Sequence, residues 1–290
     1  MNPRDKRLSR LFRTVQEAKS RKANQPKPKK IMSPKSKIPK APAVLPKVSI
    51  ITYVYCTETN GRWSQLKDNI ASIRNQRYPF YEHIIVDDGS PIPLEQNIKS
   101  LNDNHIRYYK KAHTGITQST ATFNCGLQIM TGKYGMILSS DDAHLPGTIL
   151  KMIKYMEARP TISAVTGNCI HQVLTKDFKI ISERKIIRKE SITIKQMLIA
   201  KNCVNACATM FRKSALDQIE LPPDQTGFAA DYDLWVKLSE IGPIIRIPDV
   251  IIKYRNFGNA TRILTQKDQS YRQKCIQFVK SSARIRRLKR

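Results

Sequence analysis

No run in this 290-residue chain approaches the roughly 20 apolar residues of a membrane-spanning helix, which argues against an integral helical membrane protein. The basic N-terminal start is followed by no apolar segment of signal-peptide type, so a cytoplasmic location is expected. Neither the phosphate-loop pattern Gly-x-x-x-x-Gly-Lys nor the dinucleotide pattern Gly-x-Gly-x-x-Gly occurs. Their absence argues against a P-loop nucleotidase and a dinucleotide-dependent enzyme. No internal repeat is visible. The six cysteines (Cys56, Cys125, Cys169, Cys203, Cys207 and Cys275) are scattered. Cys203 and Cys207 lack a nearby His or second Cys pair to complete a zinc site, so reduced, buried thiols are expected. Acidic residues are also scarce: 23 Asp and Glu stand against 51 Lys and Arg, a net charge of +28.

That excess is unevenly placed. Residues 1–47 hold fifteen Lys and Arg against Asp5 and Glu17, and residues 284–290 add five more. Such tails suit anionic partners. They do not interleave aromatics with their basic residues, so specific nucleic-acid reading is not expected. Leu8, Leu11, Phe12 and Val15 give residues 4–22 the spacing of a short basic amphipathic helix. That pattern fits peripheral contact with an anionic membrane at its inner face, or a solvated tail. Pro26, Pro28, Pro34, Pro39, Pro42 and Pro46 among lysines mark an extended linker. The division expected is a basic tail over 1–46, a folded domain over 47–265 with halves at 47–150 and 151–265, and a basic helix or tail over 266–290.

From residue 48 the chain alternates strand and helix patterns. Val48–Ile51, His83–Val86, Ile106–Tyr109 and Tyr134–Leu138 read as strands. Leu66, Ile70 and Ile73, then Leu94, Ile98 and Leu101, then a stretch from Thr117 to Met130, read as helices. The alternation predicts an α/β fold with a mostly parallel sheet and helices on both faces. Beyond residue 160 the pattern changes. Ile162–Gly167 and Ala206–Phe211 read as strands, Val173–Ile187 as a hairpin, and the segment from Asp231 as a helix ended by Gly242-Pro243.

The segment Leu138–Gly147 (LSSDDAHLPG) places Asp141 and Asp142 just after a buried strand. Two carboxylates at the carboxyl edge of an α/β sheet suit a hard divalent cation, or else cap the next helix. Asp87 and Asp88 in Val86–Ser90 (VDDGS) end another strand, where they either face a ligand or only shape the turn with Gly89. Asp231 opens its helix either as a functional carboxylate or as an N-cap. Trp235 is expected in the core and His144 at the surface.

In order, these segments resemble family-2 glycosyltransferases of the GT-A fold, over residues 47–262. The carriers are Val48–Ile51 with Tyr53 and Tyr55, Val86–Ser90, Asn124 with Gly132–Tyr134, Leu138–Gly147, Ala230–Trp235, and Tyr254-Arg255. The resemblance implies inverting transfer of a hexosyl or N-acetylhexosaminyl unit from a nucleotide-diphosphate sugar, usually a UDP-sugar. The acceptor implied is a hydroxyl of a glycan, lipid-linked or protein substrate, with Mn²⁺ or Mg²⁺ assisting. It assigns Asp231 as general base, Asp141 as metal ligand with Asp142 in support, and Tyr53, Tyr55, Asp87, Asp88 and Ser140 to the nucleotide. Four positions depart from the family pattern. Ser139 stands where a first metal carboxylate is usual, Ala230 where Glu is, Phe257 where a His is, and Phe123 where Arg is. Together they keep open a non-catalytic protein that binds nucleotide-sugar or glycan. The Gln-x-x-Arg-Trp signature of processive synthases is absent, so transfer of single sugars is expected.

Overall fold

The apolar run Val48–Val54 forms strand β1, buried along nearly all its length because helices cover both faces of the sheet. In the computed structural model, residues 44–113, 119–188, 192–199, 203–257 and 269–288 are described. They fall within one unit, Ile38–Arg290. The expected amphipathic helix at 4–22, the linker up to 43, and the start of the Thr117 helix lie outside the described residues. Strands β2 (Tyr81–Asp87), β3 (Ile106–Lys110) and β4 (Tyr134–Ile137) run parallel to β1 in the order β3-β2-β1-β4.

Alternation along β1 sends its side chains to two cores. Val48 and Ile50 meet Ile73 of helix α1 (Arg62–Arg74) and Met152 of helix α4 (Thr148–Glu157). Ile51 meets Phe123 and Leu127 of helix α3 (Ser119–Gln128) and Trp235 of helix α7 (Ala230–Ile241). Trp235 is fully buried against Phe211, as its helical spacing implies. The short helix α2 (Leu94–Lys99) covers β3 on the α1 side.

The second half extends the same sheet rather than forming another. Strand β8 (Thr209–Arg212) is antiparallel to β4, and β6 (Ala164–Leu174) is antiparallel to β8. Strand β9 (Ile244–Asn256) lies parallel to β6, and the two-residue β5 (Ala143–His144) closes the far edge against β9. Strand β7 (Ile180–Ile186) forms the expected hairpin on β6. The sheet is therefore mixed: parallel through the first half, with antiparallel strands added by the second. Residues 206–208, expected as the start of a strand, form a 3₁₀ turn instead, in which the Asn205 side chain takes the Cys207 N–H. Helices α5 (Ile194–Ile199) and α6 (Lys213–Leu216) are short connectors. Helix α8 (Gln269–Leu288) docks through Cys275, Val279 and Ala283 and leaves Ile285 and Leu288 exposed. No described helix is long and apolar enough to cross a membrane. All six cysteines are free thiols.

One buried carboxylate ties the first half together. Glu82 on β2 accepts hydrogen bonds from Ser49 Oγ (2.5 Å), Thr131 N–H (2.7 Å), Thr131 Oγ1 (2.8 Å) and Arg107 Nη1 (2.6 Å). Burial by itself would raise its pKa; the hydrogen bonds outweigh that and hold it at about 2. A depressed carboxylate stabilises the fold above its unfolded pKa and loses that contribution as pH falls through the folded value. Stability is therefore expected to decline between about pH 4.5 and pH 2, with Glu82 supplying about 2–3 kcal/mol of the loss. Urea melts of wild type and Glu82→Gln across that range check this. Parallel decline in both proteins would refute it.

Candidate active site

Strands β1 and β2 end side by side, with Val54 opposite Asp87. Asp87 is fully buried. Its carboxylate accepts from Ser90 N–H (2.8 Å), Ser90 Oγ (2.5 Å) and the Tyr108 hydroxyl. It therefore braces the turn and β3, and its oxygens are turned inward. Gly89 has φ +75°, and a Cβ there would lie 2.6 Å from the His113 nitrogen. Only glycine lets the chain after β3 pass so close.

Asp88 faces the opposite way. Its Oδ1 accepts from Thr122 Oγ1 (2.7 Å), and its Oδ2 lies 2.8 Å from His113 Nδ1. The same Nδ1 is 2.9 Å from the Asp88 carbonyl. Both neighbours are acceptors, so Nδ1 carries the proton. The His113 ring stacks on Tyr55 with centroids 4.2 Å apart and planes at 20°. Tyr55 and Asp88 thus jointly hold a flat N–H heterocycle that the chain itself supplies. No pattern in the sequence singled out His113. Tyr53 serves otherwise: its ring packs on Phe123 at 5.4 Å and its hydroxyl donates to the Phe123 carbonyl (3.2 Å). It joins β1 to α3, whereas Tyr55, beyond the strand end, reaches the pocket.

After β4 the chain turns through Ser139–Asp142, closed by a bond from Asp142 N–H to the Ser139 carbonyl (2.9 Å). Two elements distant in sequence clamp this loop. Asn69 of α1 donates to the carbonyls of Ser139 (2.8 Å) and Asp142 (3.2 Å). Arg255 of β9 donates its backbone N–H to Asp142 Oδ1 (2.8 Å) and its Nε to the Asp141 carbonyl (2.6 Å), and its Nη1 pairs with Asp68. The buried guanidinium lies over the rings of Phe178 (5.6 Å) and Phe257 (5.7 Å). Phe257 thus does its work as packing for Arg255. Helix α4 starts after Gly147 with no side-chain cap, so neither aspartate caps it.

Asp141, Asp142 and Ser140 are all buried in this loop. Asp141 Oδ2 pairs with Arg62 Nη1 at 2.6 Å. Burial, and next the charge of Asp141, push the Asp142 carboxyl well above the usual range. The Cys207 thiol lies beside this carboxyl and is itself pushed up by burial and by Asp142. His144 is not at the surface as expected. It is buried on β5, its Nε2 lies 3.0 Å from the Cys207 carbonyl, and burial lowers its pKa to about 4.

No group of three or more His, Cys, Asp or Glu suited to a metal occurs among the described residues. The donor chemistry still fits a hard cation. Asp141 already attracts a positive group, and a cation held by one carboxylate completes its shell with phosphate oxygens and water.

Asp231 lies in the first turn of α7, partly exposed, and its Oδ1 accepts the Tyr232 N–H (2.7 Å). Burial raises the Tyr53 phenol pKa, with smaller contributions from Cys207, Cys125 and Asp231. On either side of Asp231, Ala230 and Tyr232 pack in the same core as Ile51 and Tyr53 of β1. Asn124 and Thr120 of α3 bind the Pro222 carbonyl (2.8 Å) and the Gly227 carbonyl (3.2 Å), fixing the approach to α7. The Asp233–Lys237 pair (2.7 Å) is buried on the far side, where Lys237 also holds the Glu220 carbonyl (3.0 Å).

A parallel half-sheet with carboxylates at its carboxyl edge, continued by antiparallel strands, defines the GT-A class of sugar-transferring enzymes. The profile of glycosyl transferase family 2 matches residues 49–219, and the chain belongs to that family. It is 27% identical over 235 residues to an uncharacterised glycosyltransferase of Haemophilus influenzae, covering 78% of this chain and 70% of the relative. Its fold is similar to that of S. aureus TarS residues 1–349 in complex with UDP-GlcNAc, at TM-score 0.57 and 15% identity, covering 73% of this chain and 59% of TarS 1–349. It is also similar to the mannosyltransferase PcManGT of Pyrobaculum calidifontis in complex with GDP-Man and Mn²⁺, at TM-score 0.55 and 18% identity, covering 77% of this chain and 59% of that one. The chain thus spans about 60% of the length of the structures it resembles.

Proposed function

We propose that this chain moves a single sugar from a UDP-sugar to an acceptor hydroxyl, with inversion and with help from Mn²⁺ or Mg²⁺. The observation that carries the reading is the pocket between Tyr55 and Asp88. It already stacks a flat ring on the tyrosine and takes that ring's N–H on the carboxylate. A uracil offers the same ring face and an imide N–H, so UDP enters by displacing His113. The strand edge then directs the diphosphate toward Asp141.

The bound cation would supply charge neutralisation to the departing diphosphate from Asp141. The acceptor hydroxyl attacks the anomeric carbon on the face opposite the leaving UDP, and Asp231 takes its proton. One in-line displacement inverts the anomeric centre. Ser140 and Asp142 shape the loop that presents Asp141. The basic tails are assigned to an anionic surface, where they would hold the enzyme near its acceptor.

Titrating UDP calorimetrically with Mn²⁺, with EDTA, and into Asp141→Ala tests the reading. Micromolar binding is expected with Mn²⁺, weaker by about tenfold or more with EDTA or in the variant. Absence of UDP binding under every condition would favour a protein that has lost the donor site.

A further inference from the structure

Arg62 opens α1 beside this same site, and no sequence motif singles it out. Its backbone N–H is held by Asn60 Oδ1 (3.0 Å). Its Nη1 lies 2.6 Å from Asp141 Oδ2 and 3.0 Å from Gln65 Oε1. The Arg62 side chain is 19% exposed and that of Asp141 8%, so the pair is largely withdrawn from water. A guanidinium at this distance occupies the face of the oxygen that a divalent cation would need. Two such positive groups on one oxygen repel strongly in a partly desolvated site.

The neighbouring carboxylates both face Arg255 rather than Arg62. Asp142 receives the Arg255 N–H on Oδ1, and Asp68 pairs with the Arg255 guanidinium. Arg62, once displaced from Asp141, keeps the neutral amide oxygen of Gln65 beside it. The negative group that arrives with the cation is the donor's diphosphate, and a guanidinium binds phosphate oxygens in a two-pronged geometry.

We propose that Arg62 is the resident counter-ion of Asp141 in the donor-free protein, and that the divalent cation takes its place there. Arg62 then passes to the diphosphate. The proposal rests on the reading of Asp141 as the metal carboxylate. It makes cation and nucleotide mutually dependent: the cation alone must expel Arg62, whereas the two together give Arg62 a new partner. By linkage each ligand strengthens the other by the same factor.

The test measures Mn²⁺ binding without nucleotide, from the electron paramagnetic resonance signal of the free ion. Arg62→Gln is expected to bind Mn²⁺ about tenfold more tightly than wild type. Arg62→Lys, which keeps the charge, should stay close to wild type, and adding Asp141→Asn to Arg62→Gln should remove the gain. With Mn²⁺ present, Arg62→Gln should bind UDP about tenfold more weakly, because the phosphate contact is gone. Thermal melts should stay cooperative in Arg62→Gln and Arg62→Lys, with a lower midpoint in Arg62→Gln because Asp141 loses its partner. If Arg62→Gln leaves Mn²⁺ affinity unchanged while Asp141→Asn still abolishes Mn²⁺-dependent UDP binding, the exchange is wrong and the metal assignment stands. If no Mn²⁺ binding depends on Asp141, with or without UDP, both are overturned.

Discussion

Asp231→Asn is expected to lower the rate of UDP release from the sugar donor by about 10²–10⁴-fold, with UDP affinity unchanged. The substitution keeps the size of the side chain and an oxygen able to accept the Tyr232 N–H, so the first turn of α7 stays intact. What it removes is a group able to accept a proton from the attacking hydroxyl. The Asp231 carboxylate is partly exposed, whereas Asp233, two residues on, is buried against Lys237. Asp233→Asn should therefore act on stability rather than turnover. Steady-state rates with a fixed donor, alongside UDP titrations, separate the two effects. An undiminished rate in Asp231→Asn would remove the base assignment and leave a binding role for that carboxylate.

Arg255→Met should destabilise the protein by about 2–4 kcal/mol and weaken Mn²⁺-dependent UDP binding by about tenfold. The guanidinium is 4% exposed, so its loss leaves the Asp141 carbonyl without its donor and a gap beside Phe178 and Phe257. The ion pair with Asp68 adds little, because that carboxylate is half exposed. Asp142 keeps the backbone N–H of residue 255, so the loop loosens without being lost. Binding of UDP in EDTA should change far less than binding with Mn²⁺. Unchanged denaturation midpoints together with unchanged Mn²⁺-dependent affinity would show that Arg255 does not hold the loop.

Much of the first half is legible in the sequence. Strands β1, β2 and β4 are largely apolar runs, and the ends of β2 and β4 are marked by the Asp88-Gly89 and Ser140-Asp141 turns. The second half was read less well. Its short antiparallel strands carry no long periodic signal, and β5 has two residues. The 3₁₀ turn at Ala206–Ala208 displaced the expected strand because the Asn205 side chain captures the Cys207 N–H locally. His144 is buried for a different, long-range reason: pairing of β5 with β9, more than a hundred residues away, draws it inside.

The sequence by itself determined the family, the positions of Asp88, Asp141 and Asp231 at element ends, and the core role of Trp235, because each depends on local spacing. Only the tertiary structure decided how the aspartates divide their work. Asp87 is spent on Ser90 and Tyr108, and Asp88 on Thr122 and His113. Asp141 is set against Arg62, and Asp142 under Arg255. Their partners lie on other strands and helices, 113 residues away for the Asp142–Arg255 contact. A carboxylate's charge and protonation follow from what surrounds it in space, which chain order does not encode.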